Sequence, residues 1–215
     1  MPRPTSANAD QITDPADLRH LLGEPMPRAV AKERIALHAR DREWIAASPF
    51  IVVATSDADG NCDASPKGDP AGFVQVIDDT TLAIPERPGN RRADGYLNIL
   101  ANPHIGVIFL IPGRSETLRV NGSARLVRDA GYFDDMVVKG HRPILAVEVA
   151  VEQIFFHCGK AFMRSHLWDV ARQPAHTLPS HAQITKDVIP DSPETVAELE
   201  RYYAPENYRA KLYRD

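Results

Sequence analysis

The sequence predicts a mainly β protein: an antiparallel barrel or sandwich with helices on either side. Three observations support this. Between residues 50 and 157, short runs rich in Val, Ile, Phe and Thr recur, the composition of half-buried strands. The segments joining them are tight polar turns, too short for the crossovers that parallel strands need. Helical patterning lies mostly on the two flanks, with two short segments inside this region.

The elements follow in order. Residues 1–12 are polar and Pro-bearing and are expected to be mobile. Asp14-Pro-Ala-Asp17 is a helix start with Asp as N-cap and Pro in the first turn; that helix ends at Gly23. Ala29 to Ala47 sets Val30, Ile35, Leu37, Trp44 and Ile45 among charges and reads as one exposed amphipathic helix, ended by Pro49. Phe50–Thr55 is a strand, Asp57–Gly60 a turn, and Asn61–Lys67 the returning strand. Asp69–Gly72 turns again before the strands Phe73–Ile77 and Thr81–Ile84. Asp94–Leu100 is a short helix stopped by Asn102-Pro103. His104–Ile111 is an apolar strand, and Glu116–Val127 a long alternating one with a bend or bulge at Gly122. Asp129–Val138 reads as a short helix capped by Asp129, and Ile144–Phe156 as the last long strand. Beyond it, Lys160–Trp168 is helical, Gln173–Pro193 a Pro- and His-bearing loop, and Pro193–Tyr203 a final helix. The predicted organisation is an N-terminal helical extension (1–48), a barrel (49–170) and a C-terminal arm (171–215).

Composition excludes several classes. A 215-residue chain with 43% hydrophobic and 25% charged residues is ordinary for a globular protein. A net charge of -4 argues against a nucleic-acid partner, which needs a dense basic surface. No apolar run approaches the ~20 residues of a membrane helix, and the first residues carry no apolar signal core, so neither membrane insertion nor export is expected. Cys62 and Cys158 read as free thiols in a reducing cytoplasm.

The chemistry concentrates around Pro85-Glu-Arg-Pro-Gly-Asn-Arg-Arg-Ala-Asp-Gly-Tyr-Leu-Asn98. An apolar run leads in and an apolar-periodic run leads out, giving strand, polar turn and helix. Unpaired N–H groups at a helix start suit an anion, most often a phosphate. Arg91 and Arg92 offer bidentate, charge-assisted donors, Asn90 an amide, and Gly89 close backbone approach. The competing reading is a solvated turn with arginines facing water. Ser65-Pro-Lys-Gly68 adds a hydroxyl and an ammonium that face a ligand or form an exposed turn. Thr117, Arg119 and Asn121 alternate with Leu118 and Val120, so they share one sheet face, turned to solvent or to a ligand. His157 and Cys158 lack paired metal-ligand spacing, and neighbours on a strand point to opposite faces, so they do not form a nucleophile–base pair. No metal site and no catalytic residue is assigned. Trp168 reads as core packing or as a cover over a ligand.

As an ordered set these residues resemble the pyridoxamine 5′-phosphate oxidase-like, FMN-binding split-barrel superfamily, most closely its bacterial branch with an N-terminal helical extension. The carrying residues are Ala64–Gly68, Ile84–Arg92, Asn98, Gly106–Gly113, Glu116–Gly122, His157–Ala161 and Arg164–Trp168. The resemblance covers roughly residues 30–170 of the chain.

It implies a six-stranded antiparallel split β-barrel that forms a homodimer with FMN at each of two sites between subunits. Ser65, Lys67 and Gly68 would line the ring and ribityl side, continued by Ile84, Pro85 and Glu86. Asn90, Arg91 and Arg92 would hold the phosphate. Thr117 and Arg119 would come from the adjoining strand, and Lys160, Arg164 and Trp168 from the arm, across the dimer interface. Lys67, with Arg119 second, is the cation expected near the N1–C2=O edge of the flavin. The implied activity is an FMN-dependent oxidoreductase acting on a small substrate, with NAD(P)H as a candidate donor. No G-x-G-x-x-G turn marks a separate nicotinamide domain. The alternatives are a non-catalytic flavin carrier or sensor, and a barrel holding a deazaflavin or haem. The C-terminal segment with which the oxidase binds its substrate phosphate is not found, so vitamin B6 oxidation is not inherited.

Overall fold

A computed structural model describes residues 10–173 and 177–214; the mobile stretch expected at the N-terminus falls partly on residues 1–9, outside them. The chain divides into two compact units, up to Glu33 and from Arg34 onward. The first holds α1 (Pro15–Leu22) and α2 (Pro27–Ala31). The Asp14 carboxylate caps α1 at 2.6 Å, and Gly23 ends it at φ 72°, as expected.

In the second unit α3 (Ala39–Ala47) precedes β1 (Phe50–Ser56), β2 (Cys62–Gly68), β3 (Gln75–Val76) and β4 (Thr81–Pro85). Then come α4 (Asp94–Ala101), β5 (His104–Leu110), β6 (Thr117–Val127) and β7 (Ala146–His157). The arm carries α5 (Lys160–Ser165), α6 (His181–Val188), α7 (Val196–Tyr203) and α8 (Pro205–Arg209). All strands pair antiparallel in the order β2-β1-β5-β6-β7-β4-β3. The expected mainly β fold with flanking helices stands. The sheet has seven strands where the resemblance implies six; the two-residue β3 lies within the strand read at Phe73–Ile77. The β2 and β3 edges share no backbone ladder, so the barrel stays open along a seam.

Alternation builds the interior. Ile51 and Val53 of β1, Val107 and Phe109 of β5, Leu118 and Val120 of β6 and Val147 and Val149 of β7 join one buried cluster. At Gly122 the β6–β7 register shifts, as the glycine predicted. A Cβ there would run into the Ala150 carbonyl oxygen.

Three helix readings are corrected. Ala29–Ala47 is not one helix. Arg34 leaves the helical path to pair its backbone with Ile154, its guanidinium grips the buried Asp41, and a His38–Asp41 capping box starts α3 afresh. Asp129 does not cap the next helix. It bonds Arg142 at 2.7 Å, and a 3-10 helix runs from Gly131 to Met136. The Gln173–Pro193 segment contains α6, capped by Ser180.

Candidate functional site

β2 supplies one wall of a cavity of about 490 Å³, within the roughly 300–1,000 Å³ of small-molecule sites. Its period-two pattern turns Asp63, Ser65 and Lys67 to the same, half-buried face. β4 brings Ile84, Pro85 and Glu86 from across the seam. The following loop brings Arg87 to Asn90, and the first turn of α4 adds Arg92 to Tyr96. Val53, Phe73, Ile99 and Val147 form an apolar floor.

Side chains alone close the seam. Lys67 Nζ donates to Glu86 Oε2 and to the Tyr96 hydroxyl, both at 2.6 Å, and that hydroxyl donates to the same carboxylate oxygen. One proton-rich triad thus ties β2, β4 and α4. Burial, reinforced by the Glu86 carboxylate, pushes the Tyr96 phenol far above its ordinary pKa. It stays a neutral donor throughout the physiological range.

The loop separates two kinds of arginine. Arg87 is built in: its Nε meets Asp69 Oδ2 at 2.7 Å, and its other nitrogens donate to the Met136 and His141 carbonyls at 2.6 and 3.2 Å. Its side chain is 11% exposed and that of Asp69 2%. The Arg92 side chain is 73% exposed and pairs with the partly exposed Asp94, at 2.7 Å. Arg91 and Ala93, either side of it, take left-handed backbone at φ 62° and 60°, a strain that marks functional loops. Ala93 is the N-cap of α4 and offers no side-chain oxygen, so the first-turn N–H groups lack a side-chain cap. This end of the cavity is made for an anion.

Of the residues singled out in the sequence, Ser65, Lys67, Gly68, Ile84, Pro85, Glu86, Asn90 and Arg92 line this one cavity. Arg91 sits in the same loop without lining it. Thr117, Arg119, Lys160, Arg164 and Trp168 form a different neighbourhood. Thr117 is buried opposite His157, and Arg119 lies over Phe155 at 5.1 Å. Lys160 and Arg164 are exposed on α5, and Trp168 stacks on Phe162 while donating to the Arg114 carbonyl at 2.7 Å. The register sets Lys67, Ile51, Phe109 and Leu118 in one row and Pro66, Val52, Ile108 and Arg119 in the next. Lys67 and Arg119 therefore point to opposite sheet faces. Three strand spacings, about 14 Å at ~4.8 Å each, separate β2 from β6 across the sheet.

Sequence reasoning missed Asp63, Asp69, Arg87 and Tyr96. Two carried signals. Asp63 shares the period of Ser65 and Lys67, and Tyr96 lies three residues before the buried Ile99, on the same helix face.

Residues 37–158, more than half of the chain, match the family model described as pyridoxamine 5′-phosphate oxidase. The chain belongs to the pyridoxamine 5′-phosphate oxidase family. The family match contains every residue that lines the cavity and ends before α5 and the C-terminal arm. No curated protein matches the chain. Among solved structures, HupZ of Group A Streptococcus is 22% identical, covering 56% of this chain and 93% of its own at a TM-score of 0.45. An FMN-binding protein of Syntrophomonas wolfei is 13% identical, covering 55% and 89% at 0.41. A pyridoxamine 5′-phosphate oxidase-related, FMN-binding protein of Nostoc punctiforme is 14% identical, covering 62% and 83% at 0.37. Both free cysteines are exposed. Among the described residues no group of three or more His, Cys, Asp or Glu is placed to hold a metal. No described helix is long and apolar enough to cross a membrane.

Proposed function

We propose that this member of the family binds FMN in the 490 Å³ cavity and works as an oxidoreductase on a small substrate. The observation that carries the reading is the joining of two unlike ends. An apolar floor and an uncapped helix start, with Asn90 and Arg92 beside it, line the same cavity. The donor set fits the group. The Arg92–Asp94 pair is exposed, and such pairs hold by only about 0–1 kcal/mol, so a phosphate displaces Asp94 at little cost. Asn90, Arg91 and Arg92 would hold the phosphate; Ser65, Lys67, Gly68, Ile84, Pro85 and Glu86 would line the ring and its chain. The bound flavin would supply hydride and electron transfer, which side chains lack.

The chain's own residues prepare the site. Glu86 and Tyr96 fix the Lys67 ammonium against the pocket wall, and Tyr96 remains protonated there. Phe73 and Ile84 keep water from the floor. Thr117, Arg119, Lys160, Arg164 and Trp168 would reach a flavin from a second copy of the chain, since in one copy Arg119 faces away from Lys67. A homodimer with two sites is the assembly this implies. A nicotinamide donor would enter the same cavity directly.

The protein as purified should show flavin absorbance, and the Arg91→Ala/Arg92→Ala double variant should lose the flavin on gel filtration. A double variant that keeps full flavin stoichiometry overturns the phosphate assignment. Anaerobic bleaching by NAD(P)H separates an enzyme from a carrier. A Soret band, or absorbance of a deazaflavin, replaces FMN with another group.

A further inference from the structure

On the far side of the Asp69–Arg87 pair lies a second cleft, of about 290 Å³, lined by Lys139, His141, Arg209, Ala210, Tyr213 and Arg214. A single water needs only roughly 10–15 Å³. We propose that this cleft is a second anion site and that it takes a phosphate group.

Two pieces of chain build it. Val138 and His141 exchange backbone hydrogen bonds at 3.1 and 2.9 Å around a two-residue turn. Both turn residues are left-handed, Lys139 at φ 51° and Gly140 at φ 81°. A lysine seldom takes that conformation, and the turn holds it with the ammonium over the Tyr213 ring, 5.5 Å from its centroid. The other piece is the end of α8 and the turn after it, which carry Arg209, Tyr213 and Arg214. Tyr213 fixes the floor. Its ring stacks on His141 at 6.0 Å and 17°, and its hydroxyl donates to Asp69 Oδ1 at 2.5 Å.

Charge decides what such a cleft accepts. Among the described residues, three cations and one imidazole line it, and no carboxylate does. Among the described residues none of Lys139, Arg209 and Arg214 forms a salt bridge. Like charges around one cavity repel, and an entering anion reverses the sign of that term. A single carboxylate would leave two cations unanswered. A phosphate brings about two charges and three acceptor oxygens, which suit two guanidinium forks and an ammonium. The Tyr213 ring is already attended by His141, Lys139 and Arg87, so the recognised element is the phosphate rather than a stacked ring. The site does not depend on the flavin reading. It uses residues of the arm that lie beyond the family match.

The test is a titration of the ¹⁵N-labelled full-length protein with inorganic phosphate, phenyl phosphate and acetate at constant ionic strength. Saturable amide shifts should centre on residues 138–141 and 209–214 with both phosphates and be absent with acetate. The Lys139→Gln/Arg209→Gln variant should bind at least tenfold more weakly, while Arg92→Ala binds as the parent does. Tighter binding of phenyl phosphate identifies a phosphate monoester as the natural class; equal binding identifies free phosphate. Shifts centred on residues 89–95, no saturation, or undiminished affinity in the glutamine variant overturn the proposal. If that variant does not fold, the shift map of the parent protein decides alone.

Discussion

The two cavities share a wall and differ in how they treat charge. The larger one is lined by four carboxylates, of Asp63, Asp69, Glu86 and Asp94, and three cations, Lys67, Arg87 and Arg92. Each of those cations is already paired: Lys67 with Glu86, Arg87 with Asp69, Arg92 with Asp94. Among the described residues the smaller cleft holds three cations and no acid. The lesson is that a basic residue near a cavity is not yet an anion site. What matters is what it must give up. Arg92 gives up an exposed partner worth little, whereas Arg87 is fastened to a buried carboxylate and two carbonyls.

The sharpest way to break this contrast is Asp69→Ala. It strands a nearly buried guanidinium and removes the acceptor of Tyr213, on the wall common to both cavities. A loss of about 3–5 kcal/mol is expected in denaturant unfolding, as for other broken buried pairs. A loss below 1 kcal/mol would mean that Arg87 is as dispensable as Arg92.

Tyr213→Phe comes next, at about 1.5 kcal/mol for one hydrogen bond to a carboxylate. It also has a pH signature. Burial, then the Asp69 carboxylate, push the phenol up to about 12. A raised pKa favours the neutral form in the fold, so its contribution is complete below the ordinary value near 10 and is lost as pH rises through 12. The parent should therefore lose more stability between pH 10 and 12 than Tyr213→Phe does. Parallel curves would show that the latch is absent in solution.

Arg92→Ala is the smallest change in stability, under about 1 kcal/mol, yet it should weaken flavin retention. If unfolding shows a loss as large as that of Asp69→Ala, Arg92 is a structural residue and not one held ready for a ligand.

Strands were legible in the sequence because each carries its own period and ends at its own turn. Phe50, Thr81 and His104 begin strands where the pattern places them. The loop proposed to hold the phosphate was legible for the same reason: apolar strand, Gly89, arginines and helix start are consecutive. The break at Arg34 was not, because it depends on Ile154, 120 residues away, and on a charge pair that local patterning cannot see. The roles of Asp69 and Tyr213 were hidden likewise, since they meet only after the arm has folded back across 144 residues. Among the predicted site residues, period two revealed which share a face but not which face meets which cavity. It was the resemblance that joined Thr117 and Arg119 to Lys67; within one copy their rows lie on opposite sides of the sheet.

The open seam has a consequence for how the chain keeps to itself. β2 is an outer strand with a single neighbour, and an outer strand is a template on which other chains can add. It carries Pro66, which supplies no N–H, between Ser65 and the charged Lys67. Such a strand is a poor template for fibrous assembly. The gap beside the cavity is thus left open without becoming a point of runaway strand addition.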